Sequence, residues 1–161
     1  MFINLRHYQT GDAGYIAHRH GILYDREYGL GGIFEQYVMD GLLKFLKNPA
    51  NSEIWVAESD GRIAGFIAIV GVDEKTAQLR WFLIEPEFRG SGLGRRLMSE
   101  AVEYCRRRNF DQVFLWTFKG LDAARHLYKS FGFVQTEEAP SDAWKAGLIE
   151  ERWELAFPNK G

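Results

Sequence analysis

Between residues 53 and 118 the hydrophobic period changes twice, and that change restricts the fold more than any other feature of the chain. Three runs, "EIWVAES" (53–59), "RIAGFIAIVGV" (62–72) and "TAQLRWFLI" (76–84), read as strands, with turns at Asp60-Gly61 and near Asp73 to Lys75. They have the look of an antiparallel meander. "EPEFRGSGLGRRLM" (85–98) then places Gly90, Gly92 and Gly94 within five positions. Beyond it Leu93, Leu97, Met98, Ala101, Val102 and Cys105 recur at three-to-four spacing, which predicts an amphipathic helix to about Arg108. "QVFLWTF" (112–118) is short and nearly all apolar, as a central strand is. A strand, a glycine loop, a helix and a second strand make a crossover, so the sheet is mixed.

The flanks complete the order. Phe2 to His7 reads as a strand, with Thr10 or Asp12 available to cap a helix from Ala13 to Tyr28. A second helix is expected from Ile33 to Leu46, stopped by "KNPANS". "LDAARHLYKSFGF" is a helix ending at Gly132, and "FVQTEE" and "LIEERWELAF" are closing strands. The expected class is α/β (α+β mixed): a mixed, mostly antiparallel twisted sheet of about 6–7 strands with about 4 helices, in the order β-α-α-β-β-β-α-β-α-β-β. No linker divides it, so residues 1–161 are expected to form one domain.

Composition removes several functions. Hydrophobic residues are 46% and charged residues 26%, ordinary for a globular protein. A net charge of −2 gives no footprint for nucleic acid or an anionic membrane. No run approaches the ~18 apolar residues of a membrane span. Cys105 is the sole cysteine, which rules out an internal disulfide and suits a reducing, cytoplasmic setting. His18 and His20 are two apart and do not converge on a helix, so no metal site is expected. Arg106 to Arg108 read as cations suited to a helix C-terminus.

The glycine loop is not a dinucleotide fingerprint. Counting G-x-G-x-x-G from Gly90 reaches Arg95, and from Gly92 it reaches Leu97. The P-loop register also lands on Arg95. Anion binding survives both failures. Glycines let backbone approach a ligand, the helix N-terminus offers unpaired N–H groups, and Arg89, Arg95 and Arg96 add charge. From the residues alone, the loop is either a pyrophosphate cradle or a plain turn with solvated arginines.

"RGSGLG" resembles the R-x-x-G-x-G signature of the GCN5-related N-acetyltransferases through Arg89, Gly92 and Gly94. "LIEPEFRG" resembles the family's approach to that loop. "AARHLYKSFGF" is similar to its A-x-x-L-Y-x-x-x-G-F segment through Ala124, Leu127, Tyr128, Gly132 and Phe133. The element order matches the family fold over nearly the whole chain. The resemblance implies an acetyl-CoA-dependent N-acetyltransferase, with direct transfer to a primary amine in a ternary complex. It implies that Arg89, Gly90, Ser91, Gly92, Leu93, Gly94 and Arg95 hold the pyrophosphate. A bulge is implied in the preceding strand, with the pantetheine arm against Leu83 and Ile84. Tyr128 takes the family's general-acid position. A tyrosine pKa of about 10 exceeds a thiol's roughly 8.5, so it stays protonated beside a departing thiolate. Its other reading is a helix tyrosine packed on the sheet.

Two departures from the family pattern stand out. Leu121 lies where many members place a cofactor-contacting asparagine, which leaves Lys119 or Asp122 as substitutes. "TAQLRWFLI" has no glutamate, only Gln78 and Arg80 at polar positions, and Glu85 is expected to face solvent. In the first helix His20, Tyr24, Glu27 and Tyr28 share a face. That face reads equally as an acceptor wall for a small-molecule or peptide amine and as ordinary half-buried core. Trp81 and Trp116 are expected in the core of adjacent strands, with Trp116 or Phe118 placed to border the acceptor cleft. "HRHGILYDREYG", "LRWFLIEP" and "WTFKGLDAARHLY" are also similar to the acetyltransferase half of bacterial MarR–acetyltransferase fusions, though no winged-helix segment is present. A homodimer is compatible with the fold. The competing reading is a non-catalytic acyl-CoA sensor or interaction module.

Overall fold

A computed structural model describes residues 2–158. Its elements follow the order β1 (Asn4–His7), α1 (Asp12–Tyr28), α2 (Gly31–Lys47), β2 (Glu53–Ser59), β3 (Arg62–Gly71), β4 (Thr76–Ile84), α3 (Leu93–Arg107), β5 (Gln112–Phe118), α4 (Asp122–Ser130), β6 (Val134–Pro140) and β7 (Ile149–Ala156). The seven strands form one sheet ordered β1-β2-β3-β4-β5-β7-β6. β4 and β5 run parallel, and the other neighbouring pairs are antiparallel. The expected mixed, mostly antiparallel sheet with four helices is therefore present.

Each face of the sheet carries its own apolar layer. α3 and α4 pack on one side over Ile67, Ile69, Ala77, Leu79, Leu115 and Trp153. α1 and α2 pack on the other over Val56, Phe66, Ala68, Trp81, Leu83 and Phe118. Among the described residues no helix is long and apolar enough to cross a membrane.

The start of α1 departs from expectation. Neither Thr10 nor Asp12 caps it; Gly11, in the left-handed region at φ 101°, takes that place. Asp12 is instead buried in the first turn, accepting from the Gln9 N–H at 2.7 Å and from the Arg6 guanidinium at 2.8 and 3.0 Å. A carboxylate in the first turn of a helix suits the positive end of the dipole. Gly29, at φ 69°, ends α1, and α2 begins two residues before the expected Ile33.

One irregularity positions everything that follows. In β4, Ala77 and Leu79 face the α3–α4 layer, and strict alternation would put Trp81 and Leu83 there too. They lie in the opposite layer, and Phe82 and Ile84 take the α3–α4 side. The switch occurs where the β3–β4 register slips, between Phe66 and Ala68, and where Trp81 adopts φ 49°. This is a β-bulge, which bends and twists the strand. Pairing of β4 with β5 runs from Thr76↔Gln112 to Gln78↔Phe114 and stops just before it. From there β4 stays with β3 as far as Ile84, and β5 stays with β7 as far as Phe118.

Candidate functional site

The parted strands open a cleft of about 490 Å³, walled by Phe82, Leu83 and Ile84 on one side and by Thr117 with Leu121, Leu127 and Tyr128 on the other. Its floor is the glycine loop. Gly90 and Gly92 sit at φ 78° and 82°, and a side chain built on either would point into open space. The glycines are thus required by backbone conformation and not by crowding. Gly92 is the N-cap of α3 and supplies no side-chain cap, and the first turn of the helix has no acidic residue. The N–H groups that open α3 therefore lack intrahelical acceptors, and the positive end of the dipole meets the cleft.

The residues expected at the loop divide into two groups. Arg89, Gly90, Gly92, Leu93 and Gly94 line the cleft together with Leu83 and Ile84. Ser91 and Arg95 are not among the lining residues. The Ser91 hydroxyl donates back to the Phe88 carbonyl at 2.6 Å. The Arg95 guanidinium leans over the Phe131 ring and donates to Ser130 Oγ at 3.2 Å. At the mouth, Arg89 Nη2 donates to Glu27 Oε2 at 3.0 Å, so α1 and the loop are joined by an ion pair. At the substituted asparagine position Leu121 lines the cleft beside Asp122, whereas Lys119 is turned away to pair with Glu138.

Glu85 is not solvent-facing. It is 4% exposed, accepts two bonds from the Arg19 guanidinium at 2.7 and 2.8 Å, and accepts the Tyr15 hydroxyl at 3.1 Å. Burial and this carboxylate push the Tyr15 phenol up to about 12. With its oxygens committed, Glu85 ties α1 to the end of β4 and is poorly placed to act as a free base.

The α1 face also divides. Tyr24, Glu27 and Tyr28 line the cleft. His20 does not: it is 3% exposed, stacked on Tyr24 and near Phe34 and Phe66. Its Nδ1 bonds to the Ile16 carbonyl oxygen at 3.1 Å within the same helix. Burial lowers its pKa to about 4, so the ring is neutral at physiological pH.

A second, smaller cavity of about 120 Å³ lies against the α1–α2 side of the bulge and shares Tyr24, Phe82, Thr117 and Tyr128 with the cleft. Tyr128 stands where the two meet. Its ring is buried near Phe133 and Trp153, and burial, with a smaller contribution from Tyr24, holds its phenol above the ordinary value of 10. Trp81 is buried as expected, but Trp116 is 36% exposed and borders the smaller cavity together with Phe118. Sequence reasoning assigned no role to Arg80, Trp144 or Glu150, which line it too. Only the polar positions of Gln78 and Arg80 in an otherwise apolar strand hinted at them.

A protein-family model described as "Acetyltransferase (GNAT) family" matches residues 20–133. N-acetyltransferase family 8 member 3 of Rattus norvegicus is 37% identical over 89 residues, 52% of this chain and 39% of its own length. N-acetylaspartate synthetase of Danio rerio is 32% identical over 114 residues, 70% of this chain and 40% of its own length. The chain thus spans about two fifths of these curated relatives. The structure of yncA from Salmonella typhimurium with its cofactor acetyl-CoA superposes with a TM-score of 0.79 at 18% identity, covering 99% of this chain and 96% of that one. That likeness concerns the fold. With the family model covering residues 20–133, the chain belongs to the acetyltransferase (GNAT) family.

Proposed function

We propose that the protein transfers an acetyl group from acetyl-CoA to a primary amine of a small molecule or peptide, directly, in a ternary complex. The observation that carries this reading is the continuous path from the open N-terminus of α3, along the split between β4 and β5, to Tyr128. The residues fit the donor. The glycine loop offers outward space and unpaired N–H groups for a pyrophosphate, with Arg89 beside it. The edges of β4 and β5 beyond Gln78 and Phe114 are unpaired with each other and suit an extended, amide-bearing pantetheine arm. Leu83 and Ile84 lie along this edge. Ser91 and Arg95 stay outside the lining, bonded to the Phe88 carbonyl and to Ser130.

Bound acetyl-CoA would supply an activated thioester: the acceptor nitrogen forms the new C–N bond, the C–S bond breaks, the sulfur leaves as the coenzyme thiol, and the amine's proton passes to solvent water. Tyr128 keeps its own proton across the physiological range because burial disfavours the phenolate. Its hydroxyl is therefore available as a hydrogen-bond donor, and as general acid, to the departing sulfur. Tyr24 and Tyr28, both packed against Phe118, are the acceptor-side wall of the cleft, with His20 stacked on Tyr24, while Glu27 stands at the mouth with Arg89.

The test is a thiol-release assay with acetyl-CoA and a broad amine panel. Tight acetyl-CoA binding with no turnover of any amine would overturn catalysis. It would favour the second reading, an acyl-CoA-binding module, which the glutamate-free β4 and Leu121 motivate.

A further inference from the structure

The smaller cavity contains two opposite charges that do not neutralise each other. Arg80, on β4 just before the bulge, stacks its guanidinium over the Trp81 ring at 4.9 Å and the Tyr37 ring at 5.3 Å. Burial lowers its pKa, the cost of holding a cation away from water. Among the described residues no carboxylate lies within 4.0 Å of it, while Arg6, Arg19, Arg62, Arg89, Arg125 and Arg152 each have at least one. Among the described residues Glu150 is the sole carboxylate lining the cavity, and its Oε1 is held by the Trp144 indole N–H at 2.8 Å. An unpaired, half-buried guanidinium in a folded protein is costly unless something else brings the negative charge.

α2 is shaped around this group. A Cβ on Gly41 would come within 2.8 Å of Arg80 Nη2 and 3.0 Å of Nη1. Glycine here makes room for the guanidinium and not for a backbone turn. The cavity is next to Tyr128, on the far side of the bulge from the α3–α4 layer. At about 120 Å³ it has room for several waters, enough for the head of a small molecule.

We propose that the acceptor is an amino carboxylate, with Arg80 binding its carboxylate and Glu150 facing its amino group. This rests on the acetyl-transfer reading for the identity of the cavity as the acceptor site. A planar guanidinium lying over the Tyr37 and Trp81 rings presents its donors in the fork that a carboxylate accepts. The positive and negative groups set apart in one cavity match the two ends of a zwitterion.

The experiment uses CoA-loaded protein and two matched panels: the common L-amino acids with glycine and β-alanine, and the carboxamides of the same molecules. Binding is read by calorimetry, and turnover separately by thiol release with acetyl-CoA. At least one acid is expected to bind tenfold or more tighter than its amide. Arg80→Gln is expected to abolish that preference and Arg80→Lys to keep part of it. Gly41→Ala, which displaces only the flexible end of Arg80, is expected to weaken the acid and leave the amide unchanged. Equal binding of acids and amides, a preference that survives Arg80→Gln, or no acid binding at all would overturn the proposal. Turnover of amides as efficient as that of acids sinks only the carboxylate inference and leaves acetyl transfer standing. Carboxylate-dependent binding without thiol release does the reverse.

Discussion

The large cleft and the small cavity share a wall but are made of different material. The cleft is built from backbone: two left-handed glycines, an uncapped helix start and two strand edges that have parted. The cavity is built from side chains: Arg80, Trp81, Tyr37, Trp144 and Glu150, drawn from β4, α2, β7 and the segment before it. A backbone-built site can serve one invariant ligand on many chains, because N–H groups do not depend on residue type. A side-chain-built site changes its preference with single substitutions. On the reading advanced above, the donor site is the constant half and the acceptor site the variable half.

Four substitutions break or sharpen that contrast. The largest effect is expected where the two sites meet. Tyr128→Phe should lower kcat by about 100-fold or more, the usual scale for a lost general acid, with acetyl-CoA binding almost unchanged. Steady-state kinetics beside calorimetry separates the two, and an unaltered kcat would remove Tyr128 from the chemistry.

Next is the buried imidazole that borders the smaller cavity. The folded pKa of His20, about 4, lies below its unfolded value near 6.5. Between those values the unfolded chain binds the extra proton, so stability is fully present above about pH 6.5 and is lost as pH falls towards 4. The full difference is about 3 kcal/mol, of which about 2 should be gone by pH 5. Urea unfolding at pH 7.5 and pH 5.0 should show this loss in the parent chain and a smaller one in His20→Phe. An identical loss in both would assign the acid sensitivity elsewhere.

A smaller effect tests the backbone half. Gly92→Val places a β-branched residue at φ 82°, where an L side chain costs about 1–2 kcal/mol. The added Cβ meets no protein atom, so the penalty should appear mainly in the loop. Acetyl-CoA binding should weaken about tenfold or more while the melting temperature moves little. A fully retained affinity would show that the loop does not cradle the donor.

The smallest effect belongs to the ion pair at the cleft mouth. Both Glu27 and Arg89 are well exposed to water, and such pairs contribute about 0–1 kcal/mol. Glu27→Gln should change the acetyl-CoA dissociation constant by less than about threefold. A larger change would make the pair a gate.

Much of this was legible in the chain itself. The alternation of "TAQLRWFLI", the three-to-four spacing after Gly92 and the apolar "QVFLWTF" specify the strand–helix–strand crossover, because each period matches one backbone geometry. The cleft's floor was legible too, since Gly90 and Gly92 mark a loop that only residues without Cβ take easily. The bulge was expected from the family resemblance, but its position was not readable. Trp81 carries the positive φ, and nothing in a tryptophan announces it. Glu85 illustrates the same limit: at a strand end it reads as solvated, and only Arg19 and Tyr15, 66 and 70 residues away, bury it.

By itself, then, the sequence determined the order of elements, the mixed sheet and the glycine loop at the head of a helix. These depend on local period and on steric freedom within a few residues. Only the tertiary structure decided which charges stand alone. Arg80 and Glu150 are 70 positions apart in the chain, and whether a charge is paired depends on every group that folding brings within a few ångströms of it.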